Sequence, residues 1–291
     1  MNEISNRIRL LADDQELPAG CMLVETEVPY NHQPVVLRAA VPVGLARLPD
    51  VMPLARAICD EFVRRIIRGV ADAGGKVTCS KGCGACCSSF LVPMTVPEAL
   101  RLMEDIQTIP PAQKRRFEPR FLQAEKKLIE SDLAGQMESL DPNDPASTIG
   151  QRELAGKWWS ENRFPCPLLK DESCGMYRSR PIPCREFLAL SDPACCATNT
   201  ETRVSRPFSM HQVVSTWAGE FEATRPTLVL MANLLGWWQH NAERAQRSWP
   251  GVILVRRLME MVTETARLAD KTFKGPIPSD TQPTEKTNGA G

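Results

Sequence analysis

The chain has 291 residues, which is enough for one large domain or two smaller ones with a substantial core. Its hydrophobic content of 43% and charged content of 24% are those of a globular protein, and 35 basic side chains balance 35 acidic ones. This balance, without any basic cluster that includes aromatic residues, predicts that the chain does not bind nucleic acid.

Neither a secretory signal nor a membrane-spanning segment is predicted. The first ten residues include Glu3, Arg7 and Arg9 and lack an apolar core. The longest uncharged apolar run, residues 227–242, is too short for a comfortable membrane span and contains several polar side chains. We therefore expect a cytoplasmic protein without membrane contact, in a compartment where thiols stay reduced.

The first predicted elements are a β-hairpin and a long helix. Two short apolar runs within residues 21–43 flank a polar turn, which is typical of a hairpin or of a pair of edge strands. From Val51 onward, apolar residues recur at three- and four-residue steps, which predicts a helix. Pro53 is expected in the first turn of this helix, and Gly74 and Gly75 are expected to end it.

Two further helices are predicted after the first cysteines. Thr95 and Glu98 form a capping-box pattern, which predicts a helix that continues to about Gln107. A highly charged segment that continues to about Leu133 predicts a second, more exposed helix. Proline interrupts the hydrogen bonds of a helix, so we expect a break near Pro119.

The remainder of the chain is predicted to alternate loops with helices. We expect a loop at residues 140–147, rich in Asp and Pro, and then a short helix that ends near Trp158 and Trp159. Residues 164–207 contain six prolines and five cysteines, which indicates an irregular segment. Two apolar helices are predicted at about 226–246 and 250–269.

The predicted fold class is mainly α, with a cysteine-rich, loop-dominated metal-binding insert and a small N-terminal β element. We divide the chain into an N-terminal extension with the hairpin (1–48), a helical domain (49–270) that contains the cysteine cluster (79–196), and a tail (271–291). The tail is rich in Pro, Thr, Lys and Gly, so we expect it to be disordered.

Nine of the eleven cysteines fall in two short stretches. The first stretch is Cys79-Ser-Lys-Gly-Cys83-Gly-Ala-Cys86-Cys87. Thiolates at such spacings, with glycines whose backbone N–H groups can turn towards sulfur, are typical of zinc or iron–sulfur sites. Adjacent side chains diverge in helices and strands, so we expect Cys86 and Cys87 to point apart and to serve two metal atoms or bridge them.

The second stretch adds three spaced cysteines and then an adjacent pair: Cys166, Cys174, Cys184, Cys195 and Cys196. A site built from both stretches closes a long loop, so metal binding would contribute to folding. Seven cysteines are one short of two four-thiolate sites, and either member of the adjacent pair could complete the count. The remaining two, Cys21 and Cys59, are expected to be packing residues.

Residues around these cysteines carry a family resemblance. They are the segment from Cys79 to Cys87, and then Cys166-Pro167-x-Leu169 and Cys174-x-Met176-Tyr177-x-x-Arg180-Pro181-x-x-Cys184-Arg185-x-Phe187. This pattern resembles the YkgJ-type cysteine-cluster family, also called CxxCxxCC, which is a zinc- or iron-chelating domain. The first gap here has three residues, whereas the family name has two.

The resemblance extends to residues 191–197, where Cys196 fits a trailing cysteine of the family better than Cys195 does. It implies eight metal ligands: Cys79, Cys83, Cys86, Cys87, Cys166, Cys174, Cys184 and Cys196. Arg180 and Arg185 flank Cys184, and a guanidinium group there would stabilise a negatively charged cluster or bind an anionic cofactor. The alternative for both arginines is a surface ion pair with an acidic residue.

Two functional hypotheses follow, and no catalytic residue is predicted under either. In the first, an iron–sulfur cluster or zinc supports an enzyme that transfers a methyl group or electrons to a protein substrate. Relatives implied by the resemblance include the flagellin lysine N-methylases, which use S-adenosylmethionine with an iron–sulfur cluster. In the second, the chain is a non-catalytic zinc-binding structural or metal-handling module, because closed four-thiolate sites are typical of structural zinc.

Overall fold

The computed structural model describes residues 8–31, 33–88, 91–133, 154, 158, 162, 164–198, 200–222 and 228–277. Its strands are β1 (Arg9–Leu10), β2 (Cys21–Tyr30), β3 (Gln33–Pro42), β4 (Leu45–Arg47), β5 (Pro93–Thr95), β6 (Leu169–Lys170), β7 (Ser173–Cys174), β8 (Leu228–Leu230) and β9 (Ser248–Pro250). Its helices are α1 (Leu48–Asp72), α2 (Val96–Thr108), α3 (Pro111–Glu130), α4 (Ile182–Glu186), α5 (Pro193–Thr198), α6 (Met210–Glu222), α7 (Leu234–Asn241) and α8 (Gly251–Asp270). The predicted fold class, mainly α with a small N-terminal β element, is confirmed.

Strands β2 and β3 form the predicted hairpin. They pair antiparallel over their whole length, and Tyr30 lies opposite Gln33 beside the turn. Asn31 in the turn has a φ of +47°, the left-handed conformation that short hairpin loops require. Strand β1 pairs with the other edge of β3, and the apolar face of the sheet packs on α1 and α8.

The first hydrophobic core joins this sheet to α1, α6 and α8. Trp217 of α6 is fully buried there, and its indole N–H donates to Leu254 O of α8 at 3.0 Å. Helix α6 was not predicted, although Met210, Val213 and Trp217 on its buried face recur at helical spacing. This core supports one side of the cysteine-rich segment because α4 also packs on it through Ile182.

Helix α1 begins at Leu48, earlier than predicted. Arg47 and Asp50 form a capping box, and Pro49 occupies the first turn, where its missing N–H would have no partner in the helix. The prediction that Pro53 lies in the first turn is therefore wrong, because Pro53 lies inside the helix.

Helices α2 and α3 both contribute buried residues to the hydrophobic cluster against which Cys166, Cys174 and Cys184 pack. The capping box of Thr95 and Glu98 opens α2 as predicted. Helix α3 continues through Pro119, so the predicted break is wrong. Pro119 lies on the exposed face, where water can satisfy the carbonyl group that proline leaves without a partner.

The predicted helix at 226–246 is only partly correct. Residues 228–230 form strand β8, which pairs antiparallel with β5 from Pro93 to Thr95. Helix α7 covers only part of the predicted range and ends at Asn241. Pairing with a distant strand therefore overrides the local helical preference at 228–230. The second predicted helix, now α8, is confirmed.

A second hydrophobic core lies beneath the cysteine-rich segment. It is formed by β5, β8, α2, α3 and α7, and it includes the fully buried Leu100, Phe121 and Leu168. Three cysteines of the second stretch pack against its edge: Cys166, Cys174 and Cys184. The candidate site therefore rests on a packed layer rather than on a free loop.

Part of the predicted tail packs on the rest of the chain. Ser205 N–H donates to Pro276 O at 2.9 Å, and Ile277 lies beside Gly75. The rest of the tail from residue 278, the predicted loop at 140–147 and most of the short helix near Trp158 lie outside the described residues. None of the described helices has both the length and the apolar character that a membrane span needs.

Candidate metal centre

The two cysteine stretches lie side by side and are joined by backbone hydrogen bonds. Cys166 N–H donates to Cys87 O at 2.7 Å, and Thr78 N–H donates to Ala189 O at 3.0 Å. Helix α5, which carries Cys196, packs against a turn of 3-10 helix at Ala85–Ser88. The two stretches therefore lie next to each other in the fold, as a site built from both would require.

The first stretch folds as two consecutive tight turns. Cys83 N–H donates to Ser80 O at 3.1 Å. Gly82, which lies between Ser80 and Cys83, has a φ of +96°, a conformation that favours glycine. Cys87 N–H then donates to Gly84 O at 2.9 Å within the 3-10 turn. The turns concentrate four thiols into a small volume, because no extended segment separates them.

Gly84 lies where the backbones of the two stretches approach each other closely. A Cβ atom at this position would overlap Glu172 O and would lie 2.9 Å from Leu169 Cδ1. Since Glu172 O belongs to the backbone, a rotamer change could not relieve the overlap. Glycine at position 84 therefore allows the stretches to meet.

Cys166 and Cys174 are held by the hairpin of β6 and β7. Leu169 N–H donates to Cys166 O at 2.9 Å, and Leu169 lies opposite Cys174 in the strand pair. The two turn residues, Asp171 and Glu172, have φ values of +46° and +58°, which suit a two-residue hairpin turn. The hairpin thus brings together two cysteines that are separated in sequence.

Cys184 lies on the short helix α4, which a buried carboxylate holds in place. Ile182 N–H at the start of α4 donates to Glu98 Oε1 at 2.6 Å, and Thr95 N–H donates to Oε2 at 3.0 Å. His211 Nδ1 lies 3.4 Å from the same Oε2. Burial alone would raise the pKa of Glu98, but His211 and the backbone donors outweigh burial and lower it. The Glu98 carboxylate therefore anchors the loop that carries Cys184.

We group the thiols into two sets according to which of them interact electrostatically with one another. The first set comprises Cys79, Cys83 and Cys196. The second set comprises Cys166, Cys174 and Cys184. Cys86 interacts with members of both sets, and its thiol lies within hydrogen-bonding reach of the Cys87 thiol. The expectation that Cys86 and Cys87 point apart is therefore wrong, because the 3-10 turn brings their thiols together.

Six thiols of the two stretches have a raised pKa in the absence of a metal: Cys79, Cys86, Cys166, Cys174, Cys184 and Cys196. Burial raises the pKa of Cys166 to about 12 and that of Cys196 to about 11. The pKa of Cys86 is raised mainly by its hydrogen bond with Cys87, and burial adds to this effect. A bound metal displaces the thiol proton, so metal binding to this group would release protons and strengthen as pH rises.

The chemistry of the donors fits zinc or iron, since all eight predicted ligands are sulfur atoms. Within the described ranges, no three side chains of Cys, His, Asp or Glu are placed to hold a metal ion as they stand. The Cys79 thiol instead bonds to backbone, because Sγ accepts from Ala189 N–H at 3.3 Å and faces Phe187 O at 3.7 Å. Rotation of thiols would therefore accompany metal binding.

The structure distinguishes Cys196 from its neighbour. Cys196 is 4% exposed and belongs to the first set, whereas Cys195 is only partly buried. Cys59 is buried in the first core and Cys21 lies on β2, opposite Pro42, so both lie outside the two sets.

The guanidinium group of Arg185 is occupied by protein groups. It donates to Asp60 Oδ2 at 2.6 Å, to Arg178 O at 2.6 Å and to Arg180 O at 3.0 Å. These bonds brace the loop that leads into Cys184. Arg185 therefore contributes to the position of a thiol.

Arg180 has the surroundings expected of a cation beside a cluster. Its guanidinium carbon lies 4.2 Å from the centre of the Tyr177 ring, and its buried Nε has no hydrogen-bond partner among the described residues. Its positive charge favours the thiolate form of four cysteines: Cys79, Cys86, Cys174 and Cys184. Arg180 thus faces both sets of thiols.

Three residues that position the site were not identified from the sequence. Asp60 binds Arg185, Glu201 lies beside Cys196, and Gln113 Nε2 donates to Gly175 O at 3.1 Å. Each belongs to a residue type that is common on protein surfaces, and each lies outside the two motifs. Only the folded arrangement distinguishes them.

Comparison with known proteins agrees with this geometry. Residues 78–207 match the family model of CxxCxxCC, which is described as a Putative zinc- or iron-chelating domain. The match includes both cysteine stretches and confirms the predicted family resemblance for this part of the chain. Neither the curated proteins nor the solved structures gave a significant match.

Proposed function

We propose that this chain binds metal through eight cysteines grouped around Cys86, and that an iron–sulfur cluster is the occupant. The observation that carries the proposal is that Cys86 interacts electrostatically with thiols of both stretches, among them Cys79, Cys184 and Cys196. The match to a zinc- or iron-chelating domain supports metal binding, with either metal. Thiolates are ligands that both metals accept.

The contact between Cys86 and Cys87 supports a centre with more than one metal atom. The turn holds the two thiols together, so two neighbouring metal atoms could each take one of the thiolates. Iron–sulfur clusters offer several iron atoms within a small volume. Arg180 would offset the negative charge that thiolates and sulfide bring to such a cluster.

Zinc is the second candidate occupant, because the same thiols also divide into two four-thiolate groups. Each set of three would gain its fourth ligand from the Cys86–Cys87 pair. Sites with four thiolates and no open position are typical of structural zinc. With zinc bound, the chain would be a non-catalytic structural or metal-handling module.

In the iron–sulfur form, we place the protein in the cytosol and assign the centre to methyl or redox transfer on a protein substrate. S-adenosylmethionine would be the second cofactor. Arg180 supports this assignment, since its Nε is unpaired among the described residues and a guanidinium group binds carboxylates well. Arg185 would act on cofactor binding only indirectly, through the loop that it braces.

Anaerobic purification of the full chain, followed by metal and sulfide analysis and an absorption spectrum, tests the proposal. We expect iron, a comparable amount of acid-labile sulfide, and the broad visible absorption of a brown protein. Zinc in a colourless protein would instead support the second candidate. Less than one metal atom of any kind per chain would refute metal binding. Addition of S-adenosylmethionine to the reduced protein should change the electron paramagnetic resonance signal of the cluster, and an unchanged signal would refute its role as cofactor.

A further inference from the structure

A buried carboxylate group lies beside the first set of thiols. The side chain of Glu201 is only 4% exposed. Its Oε1 accepts from Arg203 Nε at 2.6 Å, but its buried Oε2 has no hydrogen-bond partner among the described residues. An unpaired carboxylate oxygen away from water is energetically costly, so its presence points to a cation or donor that completes the site.

The backbone fixes Glu201 between segments that carry thiols of the first set. On one side, Thr200 N–H donates to Cys195 O at 3.0 Å. On the other, Leu190 N–H donates to Thr202 O at 2.8 Å. Glu201 is therefore held from both sides, and its position depends on the same turns that present Cys79 and Cys196.

Arg203 contacts residues of the segment that bonds to Cys79. Its guanidinium carbon lies 4.5 Å from the centre of the Phe187 ring, and Phe187 O faces the Cys79 thiol at 3.7 Å. Arg203 also forms an isolated β-bridge with Ala189, whose N–H donates to Cys79 Sγ at 3.3 Å. The segment of Glu201 thus pairs on one side with the segment that bonds to Cys79 and on the other with the helix that carries Cys196.

We propose that Glu201 supplies an oxygen ligand to the metal atom bound by Cys79, Cys83 and Cys196. The inference rests on the proposed metal-binding function and deepens it. Oε2 would bind the metal while Oε1 keeps its bond to Arg203, as is usual for ligating carboxylates. An oxygen ligand is harder than a thiolate and exchanges more readily with solvent or substrate. The metal atom bound by the first set would therefore be the one at which solvent or substrate can replace a protein ligand.

The test uses the full chain, stripped of metal and loaded with Co²⁺ under anaerobic conditions. Cobalt–thiolate absorption in the near ultraviolet reports the number of Co–S bonds, and transfer to a competing chelator gives the rate of metal release. We expect Glu201→Gln to keep the Co–S absorption but to release cobalt at least about tenfold faster. We expect Glu201→Cys to add the absorption of one Co–S bond.

Two control variants separate ligation from other roles. Glu172→Gln removes an exposed carboxylate from the β6–β7 turn and should leave both measurements unchanged. Arg203→Gln removes the ion pair, and it should accelerate release less than Glu201→Gln does. Thermal unfolding of the metal-free variants should match that of the wild type, which shows that each one folds.

The outcomes distinguish this inference from the proposed function. The inference is overturned if Glu201→Cys adds no Co–S absorption, or if Arg203→Gln releases cobalt as fast as Glu201→Gln, since Glu201 would then only pair with Arg203. Failure of the wild-type chain to bind cobalt would instead overturn the proposed function itself.

Discussion

Cys86→Ser is expected to lower metal content more than any other single cysteine substitution. Cys86 interacts electrostatically with thiols of both sets, so its loss should affect every metal position. A metal present at about a thousand times its dissociation constant stabilises the folded state by about 4 kcal/mol, which the variant would lose. Elemental analysis and chemical unfolding of the purified chain measure the two effects.

The matched control is Cys21→Ser, because Cys21 lies on β2, outside both sets. It should keep wild-type metal content and stability. Cys174→Ser should give an intermediate result, since it removes a thiol from the second set only. In excess chelator, the difference in unfolding free energy between wild type and Cys86→Ser should become small. Equal metal content in Cys86→Ser and Cys21→Ser would contradict the central position of Cys86.

Gly84→Ala is expected to separate the two cysteine stretches without removing any sulfur. The added methyl group would overlap Glu172 O of the β6–β7 turn, and backbone atoms must move to accommodate it. We expect a loss of about 3 kcal/mol in unfolding free energy, at the upper end of the usual cost of overpacking. We also expect metal content to fall. Chemical unfolding and elemental analysis again provide the measurements.

Gly69→Ala is a suitable control for this substitution. Gly69 lies inside α1, and a Cβ atom there would be 3.4 Å from Pro276 Cγ, an ordinary packing distance. Because alanine favours helix over glycine by about 0.5–1 kcal/mol, the control should be neutral or slightly stabilising. Wild-type stability and metal content in Gly84→Ala would show that the two stretches do not need this close approach.

Local patterns in the sequence predicted several elements correctly. The hairpin of β2 and β3 and the capping box of α2 depend on residues that are neighbours in sequence. The errors occur where distant contacts decide the structure. Strand β8 forms because it pairs with β5, and α3 continues through Pro119 because that residue faces solvent.

In the candidate site too, local sequence predicted some features, whereas others depend on contacts between distant residues. Spacing identified the cysteines, since four thiols within nine residues are rare outside metal sites. The hydrogen bond between Cys166 and Cys87 could not be predicted from the sequence, and neither could the register of the two stretches that it fixes. Glu201 could not be distinguished among 35 acidic residues before its buried side chain was placed beside Cys196.

X-ray absorption at the metal edge of the purified full chain most directly tests the claim that sulfur atoms from both stretches surround bound metal. The account predicts a shell of sulfur neighbours, at about 2.3 Å if the metal is zinc, together with scattering from a second metal atom. In Cys86→Ser this signal should be lost, whereas in Cys21→Ser it should remain. A shell made only of nitrogen and oxygen would contradict the account.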